Sequence, residues 1–134
     1  MKSVVSSCPS RSFVILAGVL LLGALLRLLY LREIRGDPDF DHPAIDAGYH
    51  HYWARGIASG DWEPPEGRDD PQIYLHPFYR PPAYAYFLAA VYRVFGVGFL
   101  APRLVQMALG LLAAVLAFFI GRRWFGETAG LVWS

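Results

Sequence analysis

The residues best equipped for chemistry lie in one acidic stretch: Asp46, His50 and His51, with Arg80 farther on. A carboxylate can act as a general base toward an acceptor hydroxyl, or bind a divalent cation. An arginine nearby can fork onto a phosphate. Asp46 and His50 are four residues apart, so on a helix they share a face. Each has a plainer competing role. Asp46 opens a helical stretch, where an N-cap carboxylate stabilises by roughly 1 kcal/mol, and His50, His51 and Arg80 suit an interfacial surface. Asp41, His42, Asp46 and His50 are suitable metal-ligand types without a recognised spacing, so no metal ligands are assigned. A divalent cation is nonetheless the one cofactor this stretch could hold.

The elements that must position these residues are membrane helices. The chain is 55% hydrophobic, and its apolar residues are bunched into runs instead of spread at amphipathic spacing, so lipid is the expected solvent. Residues 13–26 are all apolar or glycine, and 28–31 resume after Arg27. At 1.5 Å per residue, 13–31 reaches about 28 Å, enough to span a hydrocarbon core. A cleaved signal peptide is the rival reading. However, no small-x-small cleavage site follows, and Arg27, Arg32 and Arg35 crowd the exit, which favours a retained anchor. Arg27, near the far end of the run, is expected to snorkel to the interface. A second run, 104–120, has only Gln106 as a polar residue and is bracketed by Arg103 and Arg122-Arg123.

Between the runs, charge and punctuation change. Ten of the eleven acids fall in 32–80 with five arginines, leaving five net negative charges, so no basic nucleic-acid face exists. Lone Cys8 permits no intrachain disulfide or thiolate metal site. Asp37-Pro38, His42-Pro43, Pro64-Pro65, Asp70-Pro71 and His76-Pro77 mark loops. The stretch 45–59, opened by an acid and closed by Gly60, predicts a helix, with Tyr49, Tyr52, Trp53 and Ile57 as an interface-loving side. Residues 81–95 open on Pro81-Pro82 and end at Gly96. There Tyr84, Phe87, Leu88, Val91, Tyr92 and Phe95 fall on one face, while Tyr86, Ala89, Ala90 and Arg93 fall on the other. Such a helix is short for a crossing and is expected to lie along the membrane surface. With it flat, Arg122-Arg123 join Lys2 and Arg11 in the cytoplasm and the acidic loop stays outside, as the positive-inside rule prefers.

The expected fold is therefore an all-α integral membrane protein: two transmembrane helices plus the start of a third, with an outer loop carrying juxtamembrane helices. Its parts are a cytoplasmic N-terminus (1–12), a first crossing (13–31) and an extracytoplasmic loop (32–101) with helices near 45–59 and 81–95. A second crossing (102–121), a cytoplasmic turn (122–126) and the start of a third helix (127–134) complete it.

The run Asp46-Ala-Gly-Tyr49-His50-His-Tyr-Trp-Ala54-Arg-Gly-Ile57-Ala58-Ser-Gly60-Asp61-Trp62 resembles the first outer loop of GT-C-type membrane glycosyltransferases, the enzymes related to protein O-mannosyltransferases and aminoarabinose transferases. Similar in order and spacing are Phe78-Tyr79-Arg80-Pro81-Pro82, Val94-Phe95-Gly96, Arg103-Leu-Val-Gln106 and Gly121-Arg122-Arg123-Trp-Phe125-Gly126. Many relatives carry a second acid where this chain has Tyr79-Arg80, and the proline segment here reads Pro-Pro-Ala-Tyr-Ala. The resemblance implies transfer of a sugar from a polyprenyl-phosphate carrier to a glycan, lipid or protein acceptor on the outer face of a bacterial plasma membrane. It makes Asp46 the catalytic carboxylate. Tyr49, His50, Arg80 and Arg103 are the candidate substrate-binding residues beside it, although Arg103 is better suited to capping and anchoring its helix. Because relatives have many more crossings, the chain reads as an N-terminal part, expected to be inactive alone. The alternative is a non-catalytic membrane module whose acidic loop binds a partner or cation. Transport is disfavoured, because the two runs hold only Arg27 and Gln106 as polar side chains.

Overall fold

The computed structural model describes residues 11–42, 45–64, 75 and 81–126, and it is all-helical among them. Four helices follow one another: α1 (Arg11–Ile34), α2 (Ile45–Ser59), α3 (Ala83–Phe95) and α4 (Leu100–Phe125), with a 3-10 turn at Pro38–Phe40. Arg80, Cys8 and the anticipated third-helix start at 127–134 lie outside the described residues. The chain divides into two compact units, one made of Met1–Arg32 with Met107–Ser134 and the other of Glu33–Gln106.

In the first unit, α1 and α4 are each long and apolar enough to cross a membrane. Their apolar residues encircle the helix without a polar stripe, which is what a lipid-facing helix requires. Leu21, Leu22, Leu25 and Leu26 of α1, with Leu112, Leu116, Phe119 and Ile120 of α4, stay exposed to whatever surrounds the chain. The two helices run antiparallel. Phe13 meets Phe118 edge-on at 5.8 Å between ring centroids, while Arg122 lies over the Phe13 ring at 5.1 Å. Arg27 does not extend toward the nearer helix end; its guanidinium turns back and donates to Gly23 O at 3.1 Å.

The second unit is built on α2 packed against α3. Ala54, Ala85 and Ala89 are almost wholly buried, so the two backbones approach closely, and Tyr52, Trp53, Leu88 and Tyr92 fill the space around them. Leu88, Val91 and Tyr92 of the predicted stripe are buried, but the buried face is turned from that stripe toward Ala85 and Ala89. Ala85 and Ala89 face inward while Phe95 is 65% exposed, because small side chains, not the largest ones, permit close helix contact. Likewise Tyr52 and Trp53, expected at an interface, are core residues at 2% exposure each. Arg93 secures the pair from α3 by donating to Ile57 O at 3.0 Å.

The end of α2 explains the Gly-Ile-Ala-Ser-Gly-Asp-Trp run. Gly60 adopts φ +78° and its N–H closes on Gly56 O at 2.9 Å, the left-handed helix stop that glycine takes without strain. The chain then folds back so that Trp62 covers Gly56. A Cβ at position 56 would fall 2.4 Å from the indole. Asp61 pairs with Arg55 at 3.3 Å, and Arg55 also donates to Glu63 O. These residues hold the turn together.

Candidate functional site

Asp46 sits in the first turn of α2 and is exposed. Its predecessor, Ile45, has φ +52°, a left-handed conformation that a β-branched residue adopts at a cost. The helix therefore begins at a strained residue adjoining the candidate carboxylate. One residue on, Ala47 lines a small cavity of about 160 Å³, with His51 on α2, Tyr84, Leu88 and Tyr92 on α3, Phe99 before α4, and Pro102, Arg103 and Gln106 on α4. The spacing of Tyr84, Leu88 and Tyr92 places all three on one face of α3, so the wall of the cavity follows from helical geometry.

The polar groups of that wall are ordered by one another. Gln106 Nε2 donates to Tyr84 Oη at 2.8 Å, and His51 Nδ1 and Tyr92 Oη are joined by a 2.9 Å hydrogen bond. Burial first, and the Arg55 guanidinium second, lower the His51 pKa below its ordinary 6.5. Burial, reinforced by Tyr84 and opposed by Arg103, pushes Tyr92 up to about 12. Near neutral pH, then, the imidazole is uncharged and the phenol keeps its proton. Both terminal nitrogens of Arg103 donate to Phe40 O, at 3.3 and 3.2 Å, while the guanidinium lies over the Phe40 ring at 3.6 Å. The arginine thus pins the 3-10 turn and presents its side chain to the cavity. Asp37 stabilises that turn by accepting from Asp39 N at 3.0 Å.

The predicted site residues separate into groups. Arg103 reaches the cavity and Asp46 adjoins it through Ala47. Tyr49 and His50 instead join an aromatic cluster. Their rings meet edge-on at 5.9 Å, the His50 ring lies nearly parallel to that of Trp53, and it meets Tyr84 edge-on at 5.2 Å. His50 Nδ1 is buried with no hydrogen-bond partner among the described residues. Arg80 lies outside the described residues. Asp41, His42, Asp46 and His50 are not gathered: no group of three or more His, Cys, Asp or Glu is placed to hold a metal ion among the described residues. A larger groove of about 550 Å³, lined by Arg35, Phe40, Asp41 and the turn between α3 and α4, includes none of Asp46, Tyr49, His50 and Arg103.

Sequence reasoning missed Phe40 as the anchor of Arg103, and it missed Tyr84, Tyr92 and Gln106 as cavity walls. One signal was available. Gln106 is the single polar residue of the run 104–120, and a polar side chain in an apolar helix ordinarily has a partner.

Residues 79–133 match the family model described as dolichyl-phosphate-mannose-protein mannosyltransferase. The matched span takes in α3 and α4, with Tyr84, Tyr92, Arg103 and Gln106, and begins after Asp46, Tyr49 and His50. No curated protein and no solved structure matches the chain. Two helices able to cross a membrane, and this family match, make the chain an integral membrane protein that resembles, over residues 79–133, the dolichyl-phosphate-mannose-protein mannosyltransferases, a family of membrane glycosyltransferases.

Proposed function

We propose that the chain serves a glycosyltransferase that moves a sugar from a polyprenyl-phosphate carrier to an acceptor on the outer face of a bacterial plasma membrane. In this reading the N-terminus is cytoplasmic, and residues 32–101, with Asp46, lie on the outer side. Asp46 deprotonates or orients the acceptor hydroxyl. Arg80 and Arg103 supply positive charge toward the carrier phosphate, which leaves with the electrons of the broken glycosidic bond. Tyr49 and His50 shape the ground beneath Asp46 and line the approach of the sugar. The cavity wall adds Tyr84, Tyr92 and Gln106, whose hydroxyl and amide groups are of the kind that bind sugar hydroxyls.

The observation that carries this reading is the placement of Asp46. An exposed carboxylate directly precedes a residue that lines the same cavity as Arg103, and the far wall belongs to the segment matching the mannosyltransferase family. The test is transfer from a polyprenyl-phosphate-linked sugar by membranes holding the full-length protein, wild type against Asp46→Asn. The reading expects at least a hundredfold loss of rate, the lower range for removing a general base. Undiminished transfer by Asp46→Asn would remove Asp46 from the mechanism; no transfer by the wild type from any such donor would remove the reaction class.

A further inference from the structure

Arg27 is the single charged residue of the run 13–31, and its guanidinium lies in an unusual place. Nη1 donates to Gly23 O at 3.1 Å. A Cβ at Gly23 would stand 3.0 Å from Nη1, and one at Gly110 of α4 would stand 3.5 Å from Nη2 and 3.8 Å from Nε. The guanidinium therefore rests on the backbones of two glycines, one from each long helix, in space that side chains would otherwise occupy. Gly23 is one residue from the centre of the run. At 1.5 Å per residue it lies about 12 Å inside the Leu31 end, near the middle of a hydrocarbon core about 30 Å thick. Turning toward the Leu31 end would bring the charge closer to water. The side chain turns the other way.

A guanidinium has five N–H donors. Gly23 O is its only hydrogen-bond acceptor among the described residues. A charge at that depth is costly unless it is paired, which is why ionisable groups in membrane helices ordinarily face a counter-charge or a water-filled cavity. Neither apolar run, 13–31 or 104–120, contains an Asp or Glu, so a second copy of α1 and α4 brings no counter-charge. Lipid phosphates lie beyond the hydrocarbon core, about 15 Å from its middle, out of reach of a side chain folded inward. A carboxylate on another membrane helix meets the requirement, and the two glycines let such a helix approach the seam closely.

We infer that Arg27, framed by Gly23 and Gly110, is an intramembrane docking site for the carboxylate of a transmembrane helix other than α1 and α4. This site is independent of the proposed transferase reaction. It is tested on the full-length protein purified in mild detergent, by thermal unfolding of the wild type, Arg27→Leu and the gentler Arg27→Gln at pH 8 and pH 5. Removing the guanidinium strands the carboxylate. Both variants are expected to melt several degrees below wild type at pH 8 and to regain most of the difference at pH 5, where the stranded group takes up a proton. Dicyclohexylcarbodiimide, which modifies protonated carboxyls in apolar surroundings, is expected to label an Asp or Glu in a membrane helix of either variant and to spare it in the wild type. Variants as stable as wild type at both pH values overturn the inference. So does a loss that is equal at the two pH values, or labelling that is unchanged.

Discussion

The two units of this chain solve opposite problems with the same element. In α1 and α4 the residues that define the helix point outward. Leu21, Leu22, Leu25 and Leu26 are exposed, and what holds the pair is a few long side chains, Phe13 against Phe118 and Arg27 over two glycines. In α2 and α3, Tyr52, Trp53, Leu88 and Tyr92 turn inward beside buried alanines, and the polar groups of the cavity wall are paired: Tyr84 with Gln106, Tyr92 with His51, Phe40 O with Arg103. Lipid stabilises the first arrangement without demanding shape. Only complementarity stabilises the second. Candidate chemistry therefore belongs in the second unit, where side chains are fixed.

Equal truncations in the two units are therefore expected to have unequal effects. Trp53→Ala removes a 2%-exposed indole from the α2–α3 core and is expected to lower stability by about 3–5 kcal/mol. Leu22→Ala on α1 removes a 57%-exposed side chain and should change it by less than about 0.5 kcal/mol. Thermal unfolding of the detergent-solubilised protein compares them directly. Similar losses from the two would mean that α1 is packed as a core element.

Next in size is overpacking. A Cβ at Gly56 lands on the Trp62 indole, and Ala85 is fully buried between the helices. Gly56→Val and Ala85→Leu are each expected to cost about 1–3 kcal/mol, where Gly18→Val in α1, whose Cβ meets nothing within 4 Å, should cost far less. Tryptophan fluorescence is the matching probe, because Gly56→Val must push Trp62 off its seat.

How far the sequence reached follows the same division. Where a helix is decided by local signals it was legible: the stretch 45–59 stops at Gly60, and both apolar runs are helical. Where the outcome depends on which neighbour a helix meets, it was not. A stripe built from the largest residues of α3 finds Leu88, Val91 and Tyr92 but places Phe95 and Tyr84 with them and leaves out Ala85 and Ala89, which are buried through contact with Tyr52 and Trp53 and with Ala54, contacts that only tertiary packing supplies. Asp46 and Arg103 could be picked as chemistry-bearing types, yet Phe40, 63 residues from Arg103, carries no local sign of holding it. The Asp61-Trp62 pair, part of the family-like pattern, turns out to secure a helix end against Arg55 and Gly56.

The second unit also carries a pH dependence that α1 and α4 lack the groups to produce. His51 has its folded-state pKa depressed by burial and by Arg55. Below its ordinary value of 6.5 the unfolded chain binds a proton that the folded imidazole resists, so its contribution to stability is present above pH 6.5 and is lost as the pH falls through the folded pKa. Unfolding midpoints of the wild type should decline between pH 7.5 and 5.5, and His51→Gln should flatten that part of the decline. An unchanged slope in His51→Gln would assign the acid sensitivity elsewhere. Tyr92, shifted to about 12, stays protonated throughout this range and contributes no slope.

The smallest expected effect concerns Ile45, where the second unit departs from its own rule of relaxed, complementary packing. Its φ of +52° costs a β-branched residue roughly 1–2 kcal/mol, and the side chain, 85% exposed, recovers little by contact. Glycine adopts that φ freely but adds about 0.5–1 kcal/mol of unfolded-state entropy to overcome, so Ile45→Gly should stabilise by a net of only about 0.5 kcal/mol. Strain kept at such a position is informative when it adjoins a group whose direction matters. Under the proposed reaction, freeing residue 45 loosens Asp46, so transfer should fall as stability rises. Measuring both in the same preparation separates the cases: a gain in stability with unchanged transfer would make the strained turn incidental to Asp46, and a loss of stability would show that the left-handed turn relieves more than it costs.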